Sequence, residues 1–294
     1  MKTEYKCLEC ALSGYTRLVE KQDIPKEKKD DLVRWFFSYM SGIDLSTPAP
    51  FIARDMHAYL RKELNCNDLY AEDKLNDNNK IMNMLPEFKE AVKNAIHPEI
   101  AALKLAIAGN IIDLGTNHGM DHSQVISQAI ARDLAVDDSA RLLTAIKNAS
   151  NFIYLCDNAG EIVFDRLFLD TISELGILDK SNVVLAVRGA PIINDVTLED
   201  AEYVGLTRDY HVISNGDHAP GTCLKFTSDE FNDAFAKADF VISKGQGNFE
   251  SLFSKKDKQI FFMLIAKCSL VADQIGVDVG DMICKLNDTD AEIN

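Results

Sequence analysis

The sequence predicts an α/β protein: a helical N-terminal part, then a largely parallel sheet with helices on both faces. Two observations carry this. Through the first ~110 residues, apolar side chains recur at helical spacing. After Asn151, short strand-like apolar runs alternate with helical stretches, the pattern of strand–helix–strand units.

Leu8, Ala11, Leu12, Tyr15, Leu18 and Val19 outline a first helix, and Leu32, Val33, Trp35, Phe36, Phe37 and Met40 a second. The trio Trp35, Phe36 and Phe37 is read as packing the helical core. Pro50 suits the first turn of a third helix, with Ile52, Met56, Tyr59 and Leu60 inward. A long segment over about 69–95 contains Pro86, which should kink or divide it. Further helices are expected over about 98–112, 123–135 and 139–149. Strand-like runs follow at 152–156, 182–187, 211–213, 240–242 and 260–265, with a helix-period stretch over 162–175. Thr197 with Asp200 resembles a helix N-terminal signal, and Gly205 would close that short helix. The expected division is a helical domain over residues 1–105 and an α/β domain over residues 106–294.

A chain of 294 residues, 47% hydrophobic, can bury a large core in one or two domains. Its 31 basic against 46 acidic residues give a net charge of −15, which argues against generic nucleic-acid binding, because phosphate backbones need a basic face. A local basic pocket for a small phosphate is compatible with that charge. The seven cysteines are an odd, scattered set, no secretory apolar segment follows Met1-Lys2-Thr3-Glu4, and the apolar runs are too short to span a bilayer. The expectation is a reduced, soluble, cytoplasmic protein with no nucleic-acid or membrane partner. The sequence carries no signature of an oligomeric state.

Three strand ends hold the chemistry. The first is Asp157-Asn158-Ala159-Gly160-Glu161. The second is Arg188-Gly189-Ala190-Pro191, followed by Asn194-Asp195. The third is Ser243-Lys244-Gly245-Gln246-Gly247-Asn248-Phe249-Glu250. Parallel strands deliver their carboxyl ends to one edge, where open α/β sheets keep their ligands. Asp157, Asn158 and Asp195 would then form an oxygen-rich site for a hard divalent cation. Arg188 can fork onto phosphate oxygens, Lys244 supplies a point charge, and Gly245 and Gly247 let backbone amides approach an anion. Cation, lysine and arginine around one phosphoryl group is the arrangement that phosphoryl transfer needs. Each block also has a plainer reading: Asp-Asn as a turn or helix cap, Arg188 as a surface ion pair, Gly-x-Gly as a turn. The lysine precedes the glycines, so this is no Walker-type loop.

In these blocks the chain resembles the metal-dependent damage-control phosphatases, long known only as a domain of unknown function. Ala108-Gly109-Asn110-Ile111-Ile112-Asp113 and Lys267-Cys268 match as well. The resemblance implies an all-helical N-terminal part and a Rossmann-like, three-layer α/β/α part. It implies a divalent metal (manganese, magnesium, cobalt or nickel) held by Asp157, Asn158 and Asp195, with phosphate contacts from Lys244 and neighbouring backbone. The implied activity is hydrolysis of a small phosphorylated metabolite, a sugar phosphate or a damaged phosphometabolite. Attack in line by water is favoured, with attack by Asp157 itself as the rival. Glu161 is read as an acid, base or ligand-supporting residue, or else as a first-turn residue stabilised by the helix dipole. Asn110, Asp113, Asn194 and Asn248 are read as substrate-side groups or as polar caps where the two parts meet.

Two readings compete. The stretch 111–119 resembles the glycine-rich loop of an S-adenosylmethionine-dependent carboxyl methyltransferase, but Asn117 stands where the middle glycine is usual. A non-catalytic protein could use the same metal and phosphate site as a sensor. Cys7-x-x-Cys10 lacks the second pair that a structural zinc site needs, so Cys66, Cys268 or a histidine would have to complete it. His118 and His122 lack the intervening acid of a zinc-protease motif and read as solvent-facing or capping residues.

Overall fold

The computed structural model describes residues 1–109 and 122–287. Three N-terminal helices, α1 (Tyr5–Glu20), α2 (Lys26–Ser41) and α3 (Ala49–Leu64), enclose their own apolar cluster of Tyr15, Leu18, Val19, Leu32, Phe36, Ile52, Met56 and Leu60. Phe36 is fully buried, but Phe37 is 56% exposed, so the aromatic trio does not act as one core group. Successive helix positions turn by about 100°, which sends Phe37 off the buried stripe. Trp35 stacks on Tyr59 instead.

Helix α4 (Ala71–Lys93) runs through Pro86 without dividing. Its buried stripe of Ile81, Met84, Phe88 and Val92 continues on both sides of the proline, and packing outweighs the lost hydrogen bond. Helix α5 (Pro98–Ala108) is buried almost all round. The expected boundary at 105/106 falls inside α5, and both α4 and α5 share the apolar cluster of the sheet.

The expected helix at 123–135 is shorter. Helix α6 (His122–Ala131) ends, and Leu134–Asp137 forms strand β1, whose burial alternates as on a half-exposed edge. The order continues α7 (Ser139–Asn148), β2 (Phe152–Leu155), α8 (Glu161–Glu174), β3 (Val183–Val187), α9 (Leu198–Tyr203), β4 (His211–Ser214), α10 (Asp229–Lys237), β5 (Phe240–Lys244), α11 (Gly245–Leu252), β6 (Ile260–Ile265), α12 (Ser269–Ile275) and β7 (Met282–Leu286). The start of α9 is closed as expected: the Asp200 carboxylate accepts from the Thr197 amide and hydroxyl, both at 2.9 Å.

Among the described residues these strands form one seven-stranded sheet in the order β1-β7-β6-β5-β2-β3-β4. Every neighbouring pair is parallel except β6 with β7. Strands β2, β5 and β6 are buried throughout, as a sheet covered on both faces requires. Phe152 and Tyr154 point to the α4, α5 and α8 face, and Ile153 and Leu155 to the face of α10, α11 and α12. The chain leaves β2 towards β3 and β4, then returns to β2's other side as β5. This reversal opens a crevice at the carboxyl ends of β2 and β5, the usual ligand position in such sheets.

Candidate active site

The chain leaves β2 at Cys156, and the next two residues are locked to the β3 side. Val196 N donates to Asp157 O at 2.9 Å, Ala159 N donates to Asn194 O at 2.9 Å, and Asn158 and Asp195 form a short antiparallel bridge. Ile193 lies just before this bridge with φ of 45°, a left-handed turn that a β-branched residue rarely adopts. Backbone pairing, not side-chain chance, therefore brings Asp157, Asn158 and Asp195 together.

Strand β5 arrives from the other side. Gly245 has φ of 77°, and a Cβ there would lie 2.0 Å from Asp157 Oδ2. A Cβ on Gly247 would lie 1.7 Å from the carbonyl oxygen of Pro220. Both glycines permit close approach of the protein's own groups, Gly245 against a site carboxylate; Gly247 lines the cavity described below and Gly245 does not.

Arg188, at the end of β3, is buried in the site. Its Nε donates to Asp195 Oδ2 at 2.7 Å, and its Nη1 donates to Gly221 O at 3.0 Å and to Asn248 Oδ1 at 3.1 Å. Among the described residues Nη2 makes no hydrogen bond, and it forms an ion pair with Asp157 Oδ1 at 3.6 Å. Asn248 is fixed in turn by donating from Nδ2 to Lys244 O at 2.8 Å and by accepting from Thr222 Oγ1 at 2.8 Å. The surface ion pair considered for Arg188 is absent, since the side chain is 2% exposed.

Lys244 is placed differently from the sequence expectation. Its side chain is wholly buried, and Nζ lies 2.5 Å from both Glu161 Oε1 and Asp165 Oδ1. Asp165 Oδ1 also accepts from the Tyr154 hydroxyl at 2.6 Å. Glu161 and Asp165 stand one turn apart on α8 and so share a helix face. Lys244 does not line the cavity described below, and its charge is already spent on two carboxylates. Burial lowers the Lys244 pKa, but Asp165 and Glu161 outweigh it and hold the ammonium protonated.

The acids are strained by the same burial. Desolvation, then the charges of Asp195 and Glu161, push Asp157 up to about 8. Asp195 is raised by desolvation, although Arg188 works against it. Asp165 is pushed up to about 6, mainly by desolvation. Asp157, Glu161, Asp165 and Asp195 are all buried, and among the described residues they face two buried cations, Arg188 and Lys244. With all four ionised, the two carboxylates in excess equal the charge of one divalent ion; without one, the raised Asp157 keeps its proton. Asn158 Nδ2 is committed to Asp157 Oδ2 at 2.6 Å and Glu161 Oε2 at 3.3 Å, so its Oδ1 is the atom free for a cation. The three side chains expected to hold a metal therefore fit one: two carboxylates and an amide oxygen, hard donors for a hard ion. Among the described residues no three His, Cys, Asp or Glu side chains form a group that could hold a metal.

Asp157, Asn158, Asn194 and Asp195 open onto a cavity of about 370 Å³ between the strand ends and helices α1 and α3. Lys267, two residues past β6, lines it as well. Lys267 is exposed, its charge lowers the pKa of both Asp157 and Asp195, and among the described residues its ammonium has no carboxylate partner. Lys267 stands in the block Lys267-Cys268 noted above, where nothing in the sequence marked it as a phosphate contact. Asp165 was missed too, although its position four residues after Glu161 was a visible signal. Asn110, Asp113, His118 and the stretch 111–119 lie outside the described residues, as does the side chain of His122.

A family model described as the damage-control phosphatase ARMT1-like domain matches residues 3–283. Damage-control phosphatase PH1575 of Pyrococcus horikoshii is 35% identical over 292 residues, covering 98% of this chain and 99% of the relative. A damage-control phosphatase of Archaeoglobus fulgidus is 34% identical over 240 residues, covering 80% of this chain and 81% of the relative. The crystal structure of a DUF89 family protein from P. horikoshii has a TM-score of 0.87 at 32% identity, covering 98% of this chain and 99% of that one. No described helix is long and apolar enough to cross a membrane. With its family-model match, its relatives and its fold all in accord, this chain belongs to the damage-control phosphatase ARMT1-like family.

Proposed function

We propose that the protein hydrolyses small phosphomonoesters, sugar phosphates or damaged phosphometabolites, with a divalent metal held by Asp157, Asn158 and Asp195. One observation carries the reading: two buried carboxylates and an amide meet at the wall of a cavity that the exposed Lys267 also lines. The family and the names of its members support a phosphatase over the methyltransferase and over a non-catalytic sensor.

When bound, the metal would neutralise charge on the phosphoryl group as it transfers. The remaining work belongs to the chain. Lys267 reaches the cavity with an unspent charge and binds a phosphate oxygen; Arg188, buried behind the cavity wall, holds Asp195 and Asn248 in place. Lys244 acts one step back: it holds Glu161, which holds Asn158, which holds Asp157. Water attacks the phosphorus in line, the bond from phosphorus to the ester oxygen breaks, and the proton given up by the water ends on the departing alkoxide; Asp157 would serve as a metal ligand and not as the nucleophile.

The test is hydrolysis of phenyl phosphate with manganese, magnesium, cobalt or nickel, alongside metal content of the purified protein. Asp157→Ala should lose both metal and turnover while keeping its circular dichroism spectrum. An active Asp157→Ala enzyme removes Asp157 from the site, and a phospho-enzyme trapped on Asp157 replaces water with the carboxylate as nucleophile.

A further inference from the structure

The cavity has two unlike walls. The sheet-edge wall carries Asp157, Asn158, Asp195, Gln246 and Lys267. The facing wall comes from α1 and α3, and besides the thiols of Cys7 and Cys10 it presents Ala11, Ala49, Pro50, Ala53 and Met56. Among the described residues Lys6 is the one charged side chain on that wall, and its ammonium lies 3.4 Å from Ser269 Oγ. Methyl groups and a proline ring offer a substrate hydroxyl nothing to bond, and a thioether sulfur is only a weak acceptor. A thiol is a weak donor, and burial raises the Cys7 pKa, so it stays neutral. The backbone there is helical and largely spent on its own ladder; Ala53 O also meets His57 Nδ1 at 2.8 Å.

A sugar phosphate seated with its phosphoryl group at the metal end would press several hydroxyls against this wall. Each buried hydroxyl without a partner loses its water bonds uncompensated. An alkyl or aryl group in the same place gains by leaving water. The volume of about 370 Å³ admits a phosphoryl group with a ring-sized body.

We propose that the phosphate esters accepted here carry an apolar alkyl or aryl body seated against α1 and α3, and that polyhydroxylated sugar phosphates bind poorly. This rests on the phosphatase reading for the position of the phosphoryl group. It narrows the substrate class within that reading.

Phenylphosphonate and a hexose phosphonate resist hydrolysis, so calorimetry with manganese present reads their binding without turnover. Phenylphosphonate should bind about tenfold tighter than inorganic phosphate, and the hexose phosphonate no tighter than inorganic phosphate. Ala53→Asn, which puts an amide on the apolar wall, should weaken phenylphosphonate about fivefold relative to inorganic phosphate. Inorganic phosphate has no body to seat there and is the reference in both proteins. A hexose phosphonate that binds tighter than phenylphosphonate, or an unchanged ratio in Ala53→Asn, overturns the proposal. Phenylphosphonate binding as expected, with phenyl phosphate never hydrolysed, supports the apolar wall and overturns the phosphatase reading alone. No binding by any of the three overturns both.

Discussion

Lys244 Nζ lies 2.5 Å from Glu161 Oε1, and that one contact links a fully buried cation to the candidate metal ligands, because Glu161 Oε2 accepts from Asn158 Nδ2. The arrangement is a charge balance as much as a scaffold. Lys244→Met would leave Glu161 and Asp165 buried without a counter-charge. Breaking a buried ion pair from one side costs roughly 3–5 kcal/mol. Urea unfolding of Lys244→Met should show a loss of that size, and adding Asp165→Asn should recover part of it. A loss below about 1 kcal/mol would mean that the two acids are neutralised without Lys244.

Lys267 should behave in the opposite way. It is exposed, and among the described residues no carboxylate pairs with its ammonium. Lys267→Ala should change stability by no more than about 0.5 kcal/mol. Its effect belongs in binding: KM for phenyl phosphate should rise about tenfold, with a parallel weakening of inhibition by inorganic phosphate. Unchanged KM and unchanged inhibition would take Lys267 out of the phosphate site.

The contrast between the two lysines shows where sequence reading succeeds and where it stops. The runs that became β2, β3, β5 and β6 were legible because a doubly covered sheet demands nearly continuous apolar residues. Strand β1 was not, since only alternate residues of Leu134–Asp137 are partly covered and the run adjoins a helix. The blocks holding Asp157, Asp195 and Lys244 were found because strand ends collect at one edge. Which lysine faces the cavity was hidden. Lys244 closes β5 and points into the layer of α8, where Asp165 lies four residues after Glu161; Lys267 stands past the end of β6, in the open. Side-chain direction at a strand end depends on register, and register is set by neighbours distant in sequence.

Gly245→Ala tests how closely β5 crosses the site. The substitution adds a Cβ where φ is 77° and where Asp157 Oδ2 lies 2.0 Å away. Gly276→Ala is the matched control, with φ of 86° and nothing within 4 Å of the added carbon. Both variants should lose about 1 kcal/mol from backbone strain. Only Gly245→Ala should also displace the carboxylate, weakening manganese binding about tenfold or more by calorimetry. Equal manganese affinity in the two variants would show that Asp157 does not hold the ion.

Asp157 should make the metal-free protein less stable as pH rises. Its pKa is about 8 in the fold against an ordinary 3.8, so between those values the folded chain keeps a proton that the unfolded chain has released. Folding is then favoured by protons, and stability falls as pH climbs through that window. Asp195, also raised, adds in the same direction. Asp157→Asn cannot release the proton, so relative to it the wild type in EDTA should lose on the order of a few kcal/mol between pH 5 and pH 8 by roughly the linkage relation. Manganese binds the ionised carboxylate, so the melting temperature gained by adding it should grow over the same range in the wild type and stay near zero in Asp157→Asn. Parallel pH profiles for the two metal-free proteins would mean that Asp157 is ionised in the fold without a metal, and the two unmatched charges would then have to be balanced by some group other than a divalent ion.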